Sequence, residues 1–245
     1  MPRLAHPGRL ATGVTLVGLL TGCAASAAQP PAPSAAPRTT AATTTVAVRP
    51  VSTTTRTTRS AAAVDNLTQV ARRRYAVEVH GGVAIGTLHR VGRDPTLLRT
   101  LQSGNVSATR AYVQRQFPAV WYHWHVSRLR ILKGSRVVID TGVPFVVAPS
   151  QMTLRGPGGR VLGTLETSIQ DEIGFVRYMH RNYPVDVVVR GQGAAHVKSS
   201  LPAAANAQLP SSGSVTLAGR RYAVRSFKET ALAGEPVTVW ILTKG

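Results

Sequence analysis

Residues 151–200, QMTLRGPGGRVLGTLETSIQDEIGFVRYMHRNYPVDVVVRGQGAAHVKSS, decide how the rest of the chain is read. Two strand-like runs flank Gly156-Pro157-Gly158-Gly159, whose residue types are those of a turn. In the second run, Val161, Gly163, Leu165, Thr167 and Ile169 are expected to face one side, with Glu166, Ser168 and Gln170 on the other. The apolar period then changes from two to about 3.6. Asp171 is placed to cap a helix carrying Ile173, Phe175, Val176, Tyr178 and Met179, with Arg177 and Arg181 on its wet face. Asn182 and Pro184 end that helix, Val185 to Val189 reads as a buried strand, and Gly191-Gln192-Gly193 turns the chain back into 195–198. The centre of the chain is therefore hairpin, helix, hairpin.

Upstream, Asp65 or Asn66 caps a helix on which Leu67, Val70, Arg74, Val77, Gly81, Ala84 and Leu88 share a face. The spacing predicts one long helix, with Gly81 as a close-packing glycine, although Tyr75 to Val79 alone also reads as a strand. Asp94-Pro95 starts a second helix carrying Leu97, Leu98 and Leu101, stopped by Gly104. Asn105 caps a third, with Ala111, Val113 and Phe117 inside and Pro118 at its end. The ring-rich run Val120-Trp121-Tyr122-His123-Trp124-His125 leads into a strand over 125–132, a turn at Lys133-Gly134-Ser135 and a strand over 136–141. The connection 142–150, GVPFVVAPS, is apolar, holds two prolines and is expected to form a lid or pocket edge. Downstream, 201–213 reads as a loose Ala/Pro/Ser segment, and a last hairpin over 214–228 and 236–242 completes the sheet.

The 245 residues carry 29 Lys and Arg against 10 acids, a formal charge of +19. Six of the Arg and none of the acids fall in residues 1–60, so the remainder holds 23 cations and all ten acids. Such a balance admits polyanion contact, or simply a basic solvated surface.

Residues 1–23 read as a secretory leader. Arg3 and Arg9 form a positive start, Leu10 to Leu20 an apolar run too short to span a bilayer, and Leu20-Thr21-Gly22-Cys23 a terminus resembling the bacterial lipobox. The resemblance implies that Cys23, the single cysteine, is acylated, which would anchor the chain to the extracytoplasmic face of the cell membrane and leave no thiol for a disulfide. Residues 24–60 are Ala, Pro, Thr and Ser with isolated Arg, too poor in apolar surface to offset chain entropy, and are expected to form a disordered tether. One folded domain is then expected over 61–245.

The first hairpin SRLRILKGSRVVIDTG, the strand GGRVLGTLETSIQD leading into a helix, and the closing pair GRRYAVRSFKE and EPVTVWIL resemble the Cache superfamily of extracytoplasmic sensor domains. The resemblance covers 65–243. It implies an α+β fold, with an antiparallel PAS/Cache-like sheet packed against a long N-terminal helix, and a small-molecule sensor. Cache domains usually feed a following signalling module, whereas this sequence ends at Thr243-Lys244-Gly245; a membrane signalling protein is the implied partner. No ligand motif of the family transfers residue by residue. Whether the strands make one sheet or two abutting ones is left open.

The expected ligand is small and anionic. Arg128 and Arg130 share a strand face with Leu132, where an inward guanidinium needs an anion, while two outward ones would be ordinary surface. Tyr122 and Trp124 supply rings that either line a cavity or fill the core. Tyr178 and Arg190 are further ligand-binding candidates of the same kind. His123 and His125 have the spacing of two metal ligands on a strand, but no third or fourth ligand accompanies them, so no metal and no cofactor is expected. Asp171 and Glu172 suit a helix start as well as acid–base work. With no nucleophile elbow, phosphate loop or reactive thiol, no enzyme is expected. The short runs Arg72-Arg73-Arg74 and Arg220-Arg221 lack interleaved rings, so no nucleic-acid partner is expected either. The competing reading is an envelope lipoprotein whose basic surface docks on anionic wall polymer.

Overall fold

The computed structural model describes residues 53–245, with side-chain environments from residue 60 onward. The Cys23 lipobox and the tether before residue 53 lie outside the described residues. No helix among the described residues is long and apolar enough to cross a membrane.

Helix α1 (Thr53–His80) begins well before the expected cap at Asp65, so residues 53–60, read as tether, are helical. Its buried stripe is Val64, Thr68, Ala71, Tyr75 and Glu78, spaced by fours and threes as a helix face requires. Val77, expected on that face, is 52% exposed. The long helix forms, but its expected continuation through Gly81 to Leu88 does not. Gly81 is extended (φ −70°, ψ 159°), and α2 (Gly82–Gly92) starts afresh with its own buried face of Ala84, Thr87, Leu88 and Val91. A Cβ at Gly81 would collide with the Val77 carbonyl. The close-packing glycine is instead Gly92, set against Met152 and Leu154.

Local caps form as expected in the next two helices. Asp94 Oδ1 accepts from the Thr96 and Leu97 N–H groups, both at 2.9 Å, at the start of α3 (Pro95–Gln102). Asn105 Oδ1 accepts from Ala108 N–H at 2.9 Å and opens α4 (Val106–Gln116). Within α4, Val113 is buried but Ala111 is exposed. Pro118 does not stop the chain's coiling. Lacking an N–H, it sits in a wider turn (Phe117–Trp121), followed by a tight turn (Tyr122–Trp124) that ends at left-handed His125, φ 64°. The expected strand from His125 therefore starts only at Arg128.

Strands β1 (Arg128–Lys133) and β2 (Arg136–Gly142) form the first hairpin. Short β3 (Val146–Val147) follows, then β4 (Ser150–Arg155), β5 (Val161–Ser168) and short β6 (Gln170–Asp171). Helix α5 (Glu172–Asn182) leads to β7 (Asp186–Arg190) and β8 (Val197–Ser199). Strands β9 (Ser212–Leu217), β10 (Arg220–Thr230) and β11 (Pro236–Lys244) close the chain.

The strands make two larger antiparallel sheets and one two-stranded pair. The first has the order β2-β1-β5-β4, the second β8-β7-β11-β10-β9, and β3 pairs with β6 between them. Numbered from its own first strand, each sheet places its opening hairpin at one edge and its last strand beside the first. The expected antiparallel sheet packed against a long N-terminal helix is thus present in the second sheet, on which α1 lies, and the four-stranded first sheet shares the arrangement of its opening hairpin and last strand.

In β5 the expected alternation fails at one point. Leu154 pairs with Gly163 and Arg155 with Val161, which leaves Leu162 as an extra residue. The bulge turns Leu162 inward and leaves Val161 58% exposed.

Leu129, Ile131, Leu154, Leu165, Leu88, Leu97 and fully buried Trp121 fill the core under the first sheet. The second sheet is covered on both faces. On one side α1 and α5 supply Tyr75, Phe175, Val176 and Met179; on the other, Ala204 and Leu209 pack on Val188, Val224 and Leu242. The segment 201–213 is thus a fitted cover rather than a loose link: Trp240 Nε1 donates to Pro210 O at 3.1 Å. The connection 142–150, expected as a lid or pocket edge, edges a cleft at Val143 but is otherwise no lid. Phe145, Val147 and Ala148 leave the first sheet, enter the core of the second, and the chain then returns as β4.

Candidate functional site

Where the chain passes from β5 into α5, a cleft of about 550 Å³ opens beside the foot of β1. Tyr122, His123 and His125 form one wall, Ser127 and Val143 the floor, and Ile169, Gln170 and Asp171 the other wall. The left-handed turn at His125 ends the coiled segment and places both imidazoles at this mouth. The floor is tight: Ser127 N–H donates to Ser168 O at 2.8 Å, and Val143 N–H to Ser127 O at 2.9 Å. Gly142 has φ 121°, and a Cβ there would meet the Ser127 carbonyl and Arg128 Cα.

The opposite wall is held by Ser168. Its hydroxyl donates to Val147 O at 2.5 Å and accepts from Gln170 N–H at 3.1 Å, which ties β3, β5 and β6 together. Asp171 caps α5 by accepting from Gly174 N–H at 2.5 Å. Burial raises the pKa of neighbouring Glu172, and the Asp171 charge adds to the rise. The cleft thus offers two imidazoles, a phenol, a carboxamide and a carboxylate, on walls formed by the turn before β1 and by β6 before α5.

Of the five ligand-binding residues expected from sequence, Tyr122 lines this cleft and is 61% exposed. Trp124 turns away, half-buried, with the Arg90 guanidinium 4.8 Å from its ring centre. Arg128 faces outward. Its Nε and Nη2 bind Asp140 at 2.8 and 2.9 Å, and Nη1 donates to Pro144 O. Arg130, on the same face, pairs with Glu166 at 2.8 Å, so the two arginines form an ion-pair ladder with the acids opposite them. Tyr178 lies on α5 with the Arg74 guanidinium 4.1 Å from its ring centre.

Arg190 is a clamp for the cover segment. It donates to the carbonyls of Ala204, Ala205 and Ala207 at 2.7, 3.1 and 2.6 Å, and stacks over Trp240. The sequence reading weighed His123 and His125 only as metal ligands, and Asp171 only as a helix cap or an acid–base group. No group of three or more His, Cys, Asp or Glu that could hold a metal is found among the described residues. Gln170 carried no signal at all in the sequence.

No family model matches the chain, and no curated protein matches it. Among solved structures it is similar to the periplasmic domain of LuxQ from Vibrio cholerae, at 11% identity and a TM-score of 0.43, over 77% of this chain and 100% of that one. It is similar to the sensor domain of the V. cholerae histidine kinase DctB, at 10% identity and a TM-score of 0.41, over 75% of this chain and 98% of that one. The ligand-binding domain of the Campylobacter jejuni chemoreceptor Tlp3, solved with 4-methylisoleucine, matches at 10% identity and a TM-score of 0.41, over 80% of this chain and 95% of that one.

Proposed function

We propose that the protein is a lipid-anchored, extracytoplasmic sensor whose cleft at 122–127 and 169–171 binds a small polar molecule bearing a carboxylate, and that occupancy is read by a membrane signalling protein. The observation that carries this reading is that the walls of the cleft come from elements leading to different sheets: His123 and His125 precede β1 of the first, while Gln170 and Asp171 form β6 and open α5, which packs against β7 of the second. An occupant that touches both walls favours one arrangement of the sheets over another, and differential affinity of this kind is what a sensor needs. The imidazoles suit a carboxylate, and Asp171 suits an amine or hydroxyl on the same molecule. The chain acts by binding and not by turnover in this reading.

The test is thermal unfolding of the soluble Cys23→Ser protein against a panel of carboxylates and amino acids. At a hundredfold excess over Kd, a ligand specific for the native state adds about 2.7 kcal/mol. For a domain of this size each kcal/mol moves Tm by about 2–4 °C, so the rise is about 5–10 °C. His125→Gly removes an imidazole at a backbone position glycine tolerates, and together with His123→Ala it should abolish the rise. A panel with no responder, or a rise that survives both substitutions, overturns the assignment of this cleft.

A further inference from the structure

The excess positive charge is unevenly spread. Residues 82–170, which build the first sheet and its helices, hold eleven Lys and Arg against three acids, whereas 171–245 hold nine against five. Moreover, the three acids of the first unit are all engaged internally: Asp94 caps α3 and accepts from the Tyr112 hydroxyl at 2.7 Å, and Asp140 and Glu166 pair with Arg128 and Arg130. These two arginines are neutralised on the sheet face.

Four of the nine cations left over lie together at one end of the sheet. β1 starts beside the cleft and β5 ends there, so the turns after β1 and before β5 lie at the opposite end, away from the second sheet. Lys133 and Arg136 flank one turn, and Arg155 and Arg160 flank the other. All four side chains are exposed, and no acid lies in either turn. Four strands abreast span three strand spacings, about 15 Å. Left-handed Gly134, Gly158 and Gly159 keep both turns compact and free of side chains that would mask the cations.

We propose that this end of the first sheet is a docking surface for a linear phosphodiester polymer of the cell envelope; the location rests on the extracytoplasmic reading above, the chemistry does not. Single-stranded nucleic acid would call for stacking rings. The exposed tyrosines, Tyr122 and Tyr178, lie at the cleft and on α5. A bilayer surface would call for large apolar anchors. The exposed apolar residues of this end are Val137 and Val161. Four cations at the rim of a sheet, with neither rings nor anchors, fit a flexible polyanion recognised by charge alone.

The test uses the Cys23→Ser protein and poly(glycerol phosphate) as the probe, with binding followed against salt. Four contacts at a slope of about 0.7 each predict roughly a fifty-fold loss of affinity between about 50 and 200 mM salt. The triple variant Lys133→Ser, Arg136→Ser, Arg160→Ser should bind weakly and lose only about three-fold over the same range, one contact remaining. Arg177→Ser, Arg181→Ser, Arg220→Ser removes equal charge from exposed positions of the second unit and should leave binding within a few-fold of the parent. Thermal unfolding of each variant checks that it folds. Equal losses in the two triple variants would mean that net charge and not this surface binds the polymer. Tighter binding to single-stranded RNA or to phosphatidylglycerol vesicles than to the polymer would equally overturn the proposal. Carboxylate binding at the cleft is read separately and is unaffected by either outcome.

Discussion

The phenol of Tyr75 accepts a hydrogen bond from Ala148 N–H at 2.8 Å and donates one to Thr230 O at 2.8 Å. One hydroxyl on α1 thereby joins the connection that leaves the first sheet to the second strand pair of the other. Its ring is 2% exposed and lies edge-on to Phe175 at 5.7 Å. Tyr75→Phe keeps the ring and strands a buried amide and a carbonyl. It should cost about 2 kcal/mol, seen as a lower urea midpoint with an unchanged slope. A loss under about 0.5 kcal/mol would show that water replaces the hydroxyl without penalty.

Arg128 behaves as a surface partner. Its side chain and that of Asp140 are 23% and 35% exposed, so screening limits the pair. Arg128→Ala should change stability by no more than about 1 kcal/mol and leave the ligand-induced rise in Tm intact. Loss of that rise would move the binding site to the outer face of the sheet.

Burial is the main reason that Glu78, Glu172 and Glu229 all have pKa values above the ordinary 4.5. A carboxyl raised on folding binds its proton more tightly in the native state. Its contribution is fully present below the unfolded pKa and is lost as pH rises through the folded one. For Glu78, beside Arg74 on α1, the comparison is with Glu78→Gln. The wild-type Tm should gain on the variant as pH falls from about 7 towards about 4.5. A gap that is constant over this range would place Glu78 at its ordinary value.

If Cys23 carries the lipid anchor proposed above, Cys23→Ser should move the protein from the membrane fraction to the soluble one, because durable attachment would rest on the acyl chains. If the variant stays with the membrane through a carbonate wash, the anchor lies elsewhere.

What was legible in the sequence was local. Asp94-Pro95, Asn105 and Asp171 each satisfy N–H groups two or three residues on, so their helices could be placed without knowing the fold. What was not legible depends on partners far along the chain. Arg128 looked available because Asp140 is recognised as its partner only once β1 and β2 pair in register. Gly81 and Gly92 are equivalent as residue types; only the approach of Met152 and Leu154 makes Gly92 the packing glycine. Of the cleft, Tyr122 could be read as a ring near a strand start. Gln170 could not, since its position follows from β6 meeting β3.

The excursion of Phe145, Val147 and Ala148 bears on how the protein folds. The second sheet is built almost wholly after residue 184, yet its interior is completed by three residues that arrive between two strands of the first. A fragment lacking 82–168 would close over a void, and filling voids of that kind accounts for several kcal/mol in a domain core. The two sheets should therefore behave as one cooperative unit. Heat or denaturant should melt them together in a single transition, and neither half should refold alone at the rate or to the stability of the whole.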